Sequence, residues 1–76
     1  MQVDIITADQ TLFSGEVEAV TLPGSKGQFQ VLNNHAALIS SLDKGKVVLK
    51  TKAGKQSFDV NGGIVEVLNN KVIVLA

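Results

Sequence analysis

Apolar and polar residues alternate with a period of two along most of this chain, the spacing of half-buried β-strands. Val3 to Thr7 is short and β-branched, and Thr7 to Gln10 reads as a turn. In Glu16 to Leu22 the acids at 16 and 18 alternate with Val17 and Ala19, and then Val20 and Leu22 shift the apolar phase. Such a shift marks a bulge or a bend that carries a strand between sheets. Pro23-Gly24-Ser25-Lys26-Gly27 is a turn by composition, and Gln28 to Leu32 follows with Phe29 and Val31 on one face.

After the polar break Asn33-Asn34-His35, Ala36 to Leu42 is predicted to be a strand and Asp43-Lys44-Gly45 a turn. Lys46 to Lys52 sets Val47, Leu49 and Thr51 against Lys46, Lys50 and Lys52. Ala53-Gly54 connects it to Lys55 to Val60, and Asn61-Gly62 is the strongest two-residue hairpin signal in the sequence. Ile64 to Leu68 and Lys71 to Leu75 form a last hairpin around Asn69-Asn70, a residue type that tolerates the left-handed conformation of a type I′ turn. The expected fold is therefore all-β: one domain over residues 1–76, a small β-sandwich of two antiparallel sheets with about ten short strands.

The last hairpin differs from its lysine-bearing neighbour because it is apolar on both sides. Val65, Val67, Val72 and Val74 share one face, and Ile64, Leu68, Ile73 and Leu75 share the other. A strand of this kind is either central in a double layer or covered by something outside the domain. The chain has 76 residues, which suffices for one domain with a modest core. It has no cysteine, so no disulfide reinforces that core, and one histidine, His35, does not make a zinc site. Burial against a partner would help such a domain.

Composition narrows the function classes. Seven basic residues, all lysine, balance seven acids, and no arginine is present. This is a poor endowment for nucleic acid, where arginine forks and counterion release supply much of the affinity. Met1 to Gln10 has neither the basic nor the apolar region of a signal peptide, and no apolar run nears the ~18 residues of a spanning helix. A soluble, cytoplasmic chain is expected. Serines 14, 25, 40, 41 and 57 and His35 contain the letters of a catalytic triad, but no Gly-x-Ser-x-Gly elbow occurs. The plainer reading of His35 is a turn or contact residue. Gly24-Ser25-Lys26-Gly27 is formally a GxxG stretch, yet it joins two strand-like segments where an RNA-clamping KH loop joins helices. A glycine turn is the simpler account, and Lys46, Lys50 and Lys52 read as a solvated edge. No enzymatic activity, metal or cofactor is expected.

Several features recur together in one family. Ala8-Asp9-Gln10, then Phe13-Ser14-Gly15 and Val17-Glu18, resemble the opening of the epsilon subunit of F-type ATP synthases, called delta in mitochondria. Gly24 to Gly27, His35-Ala36-Ala37-Leu38-Ile39, Gly45-Lys46-Val47, Gly62-Gly63, Glu66-Val67 and Val72 to Ala76 follow in the family's order and spacing. The resemblance spans the whole chain. It implies the N-terminal β-sandwich domain of a non-catalytic central-stalk subunit, binding the gamma subunit on one side and the membrane c-ring on the other. That subunit turns with the ring and helps pass torque between proton translocation and ATP synthesis. It is peripheral, on the cytoplasmic face of the inner (plasma) membrane.

Carried over by position, the c-ring contact falls on Ser25, Lys26, Gln28, Asn33, Asn34 and His35. The gamma contact is placed on Val65, Val67, Val72 and Val74. Gln28 stands where the family often has glutamate, Asn33-Asn34 where it often has Pro-Gly, and Ala37 where it often has proline. The family commonly continues into a C-terminal helical hairpin, whereas this sequence closes at Ala76; a member without that hairpin, and without its inhibitory and nucleotide-binding roles, is expected. The alternative is a free-standing small β-barrel that binds nucleic acid or a ligand through Gly24 to Gly27, and a hydrolase built around His35 ranks last.

Overall fold

The computed structural model describes every residue from Met1 to Ala76 and contains seven strands and no helix. They are β1 (Gln2–Ile6), β2 (Thr11–Glu16), β3 (Ala19–Gly24), β4 (Gly27–Leu32), β5 (Leu38–Thr51), β6 (Gly54–Leu68) and β7 (Lys71–Leu75). Hydrogen bonding joins them in the order β2-β1-β7-β6-β5-β3-β4. All neighbours are antiparallel except β1 and β7, the first and last strands, which run parallel from Gln2–Lys71 to Ile6–Leu75. The expected all-β class holds, with one parallel pair added to the antiparallel scheme.

The strand count is lower than about ten because two expected turns are not turns. Asp43 to Gly45 lies inside β5, and Asn61-Gly62 lies inside β6. The two strands pair in one register throughout, from Leu38–Val67 to Thr51–Gly54, with a gap at Asp43 and Gly62. Their inward faces change parity across that gap. On β5 the buried positions pass from Leu42 to Val47 and Leu49; on β6 they pass from Val60 to Val65 and Val67. Each strand bends there and continues in the opposite layer, so counting β5 and β6 once per layer raises the seven strands to nine. Gly62 and Gly63, at φ 118° and 129°, supply the conformation the bend requires.

The phase shift read between Glu16 and Leu22 falls at Ala19 and Val20, adjacent buried residues that begin β3 just after the connection from β2, and these two strands lie far apart in the strand order. Phe13 of β2 nevertheless meets Phe58 of β6 with ring centroids 5.8 Å apart, so the two layers face each other across a shared core. That core is almost entirely aliphatic, and no polar side chain is buried in it. Pro23 is tolerated inside β3 because pairing with β5 is interrupted between Thr21 and Gly24, where no donor is missed. The turn after it is tighter than its composition implies: only Ser25 and Lys26 lie between the paired Gly24 and Gly27. Asn69 and Asn70 both have positive φ, as the type I′ reading requires.

Candidate interaction surfaces

The structure presents open, shallow depressions and exposed strand faces. His35 is exposed in the turn after β4, and its Nδ1 donates to the Ala36 carbonyl oxygen at 2.7 Å. No serine hydroxyl or carboxylate hydrogen-bonds to that ring. No group of three or more histidine, aspartate or glutamate side chains is arranged to hold a metal ion.

The six residues assigned to the ring contact do not form one patch. Ser25, Lys26 and Gln28 stand at the start of β4, whereas Asn33, Asn34 and His35 stand beyond its far end. The strand between them spans about 17 Å at 3.4 Å per residue. Ser25 is tied to β5 by its backbone, which donates to the Ser41 carbonyl at 3.1 Å, and by the Ser41 hydroxyl, which donates to its Oγ at 2.8 Å. The loop and β5 enclose a shallow depression of ≈ 500 Å³ lined by Ser25, Lys26, Gln28, Ile39 and Ser41 among others. At the far end, Asn33 Oδ1 accepts from the Met1 amino group at 2.7 Å, and the Asn34 backbone donates to Asn70 Oδ1 at 2.8 Å. These asparagines hold the turn in place. Asn34 itself sits at φ 62°, a conformation that asparagine tolerates better than most residues.

The four valines assigned to the gamma contact require correction. Val65, Val72 and Val74 are fully buried and Val67 is 2% exposed, because this face of the hairpin packs against the opposite layer. No partner reaches them while the sandwich is closed. The outward face carries the unusual surface: Ile39 is 71% exposed, and Ile64, Leu68 and Leu75 are each about half exposed. The sequence gives both faces of the hairpin apolar residues, and burial decides which one is free. Ile39 joins the patch because β5 pairs it with Glu66, between outward-facing neighbours of β6. It also lines a second shallow groove, of ≈ 400 Å³, with Leu38, Glu66 and Leu68. The polar loop depression and the apolar face thus share a border at Ile39.

Beside this face, β1, β2 and β7 carry a polar cluster centred on Asp4. Gln2 Nε2 and the Ser14 hydroxyl both donate to Asp4 Oδ1, at 2.9 and 2.6 Å, and Lys71 Nζ lies 3.8 Å from Asp4 Oδ2. The Ser14 and Gln2 hydrogen bonds, with the Lys71 charge behind them, hold the Asp4 carboxyl below its ordinary value of 3.8.

A family profile described as "ATP synthase, Delta/Epsilon chain, beta-sandwich domain" matches residues 1–76. The chain belongs to that family. It is 43% identical over 75 residues to an ATP synthase epsilon chain of Chlorobium limicola, covering 97% of this chain and 85% of that one. It is 44% identical over 73 residues to an epsilon chain of Chlorobaculum tepidum, covering 95% of this chain and 83% of that one. Against the epsilon chain of Bordetella petrii the identity is 40%, and the match spans 55% of that longer protein. Among solved structures, the fold resembles a chain in the cryo-EM structure of the Euglena gracilis mitochondrial ATP synthase, described as OSCP/F1/c-ring. The TM-score is 0.89 at 22% identity, covering 97% of this chain and 48% of that one. A second likeness, in the central stalk/c-ring structure of the Tetrahymena thermophila mitochondrial ATP synthase, has a TM-score of 0.83 at 17% identity, over 97% of this chain and 60% of that one. These structural likenesses agree with the sandwich derived from the burial pattern.

Proposed function

We propose that this chain is a non-catalytic central-stalk subunit of a rotary F-type ATP synthase, linking the gamma subunit to the membrane c-ring. The observation that carries the reading is the match to the family's β-sandwich domain along the full chain, on a fold with a free apolar face and a polar loop beside it. Within that reading, gamma docks on the outward side of β5, β6 and β7, around Ile64, Leu68 and Leu75. The loop Ser25 to Gln28 meets the polar surface of the ring through neutral hydrogen bonds and the Lys26 charge. The subunit lies at the cytoplasmic face of the membrane, held there by the ring.

Torque transmission needs a body that does not shear. The two bent strands serve this by running through both layers, so displacing one layer against the other must bend β5 and β6 and break the ladders that join them on either side of the bend. The free-standing binding module is disfavoured by the same loop, which presents one lysine and no stacking aromatic side chain on its exposed residues. Coupling assays on membranes depleted of the chain test the proposal. ATP hydrolysis should continue without acidifying the vesicles, and adding the chain back should restore pumping. Full proton pumping in its absence would defeat the reading.

A further inference from the structure

A single acid interrupts the apolar outward face. Glu66 is exposed at the middle of the β6 segment Ile64 to Leu68, and its two cross-strand neighbours are Ile39 on β5 and Ile73 on β7. In the flanking rows Ile64 lies opposite Leu75, and Leu68 lies opposite Lys71. Glu66 makes no ion pair within the chain; Lys71, the nearest cation along the hairpin, is turned to Asp4. The Glu66 carboxylate is flanked by branched aliphatic side chains, and in the isolated chain water covers the face. Once a partner removes that water, the charge needs an opposite one.

β6 and β7 are hydrogen-bonded on both sides, so no strand can be added to them and the partner must meet side chains. Ile64 to Leu68 extends about 14 Å along the strand, and the three strands stand about 10 Å from first to last. That footprint matches two to three turns of one α-helix, which is about 10 Å wide with a 5.4 Å pitch. A second copy of this chain docked through the same face about a two-fold axis at Glu66 would bring two carboxylates together. A membrane of anionic lipid would meet Glu66 and Asp4 with like charge.

From this arrangement we infer that the face receives an α-helical segment whose apolar stripe carries one lysine or arginine, seated on Glu66. The inference rests on the stalk reading, under which that helix belongs to gamma. The aliphatic rows bury area in either orientation of the helix, whereas the ion pair is made in one register only. Glu66 therefore fixes the angular setting of this domain on the shaft.

Titration calorimetry of the purified chain against its cognate gamma subunit tests this at low and high salt. Glu66→Gln should weaken binding about tenfold and Glu66→Lys about a hundredfold, as expected for loss and reversal of a desolvated charge contact. Wild-type affinity should also fall with salt more steeply than that of Glu66→Gln. Glu66 is exposed, so the variants should melt like the wild type. If both bind as the wild type does while Leu75→Ser weakens binding, the seat for a cation is overturned and the stalk reading stands. If the wild-type chain fails to bind gamma, both fall. If instead the chain self-associates through this face, with the dimer lost in Leu75→Ser, the occupant is a second copy and the inference is wrong.

Discussion

The backbone of Gly63 passes so close to Leu75 that a Cβ built on it would collide with the Leu75 carbonyl oxygen. The contact lies where β6 bends between layers, and Gly63 is also at φ 129°. Gly63→Ala should therefore suffer twice, from backbone strain and from overlap with backbone that cannot move aside. Gly27 has a similar φ of 125° but open space where its Cβ would stand. Urea denaturation should show Gly27→Ala losing about 1–3 kcal/mol, the cost of the conformation alone. Gly63→Ala should lose more than about 4 kcal/mol or fail to fold.

The two faces of the last hairpin should separate cleanly under truncation. Val74 is fully buried and Leu75, its neighbour, is 53% exposed. Val74→Ala should cost about 2 kcal/mol through lost burial and an unfilled cavity. Leu75→Ala should stay within about 0.5 kcal/mol in the isolated chain, measured the same way.

That contrast marks how far the sequence could be read. The alternation of Val47 and Leu49 against Lys46, Lys50 and Lys52 fixes an inward face because charge cannot go inside. In the hairpin both faces are aliphatic, so pattern alone cannot choose between Val65, Val67, Val72, Val74 and the residues beside them. Only the opposite layer decides, and it comes from distant parts of the chain. The glycines show the same division. Asn69-Asn70 announce positive φ and both adopt it, whereas of Asn61-Gly62 only the glycine does, followed by Gly63. Whether the chain then reverses depends on its partner: Leu38 to Leu42 remains available to extend the ladder, so β6 bends where a hairpin was expected. The loop residues Ser25 to Gln28 were legible as an exposed turn. Their separation from Asn33 to His35 was not, because the four residues between them, Phe29 to Leu32, can close a turn or run as a strand.

Asn70 serves both its own turn and the one after β4. It holds φ at 60° and accepts a hydrogen bond from the Asn34 backbone through Oδ1. Asn70→Gly should keep the turn and lose that bond, costing about 1 kcal/mol. Asn70→Ala should cost about 2 kcal/mol, since alanine also resists the left-handed conformation. Chemical denaturation of the two variants side by side reads the difference.

Acid stability should carry the mark of Asp4. Its carboxyl is held below its ordinary value of 3.8 by Ser14 and Gln2, with Lys71 adding to them. A carboxylate whose folded value is depressed contributes stability that is complete above its unfolded pKa and lost as pH falls through the folded value. The wild type should therefore lose stability on acidification below about pH 4, where Asp4→Asn should show a flatter dependence over the same window. Thermal melts from pH 6 to pH 2 measure it, and parallel curves would assign the acid limb to other groups.

Cysteine cross-linking within the native membrane complex most directly tests whether this domain bridges shaft and ring. With Ser25→Cys on the polar loop and Leu75→Cys on the apolar face, mild oxidation against cysteines placed in the two partners should join the first to the c-ring and the second to gamma. Bonds formed with the partners exchanged would reverse the faces. An intact, coupled ATP synthase in which neither position forms any bond to ring or shaft would contradict the account.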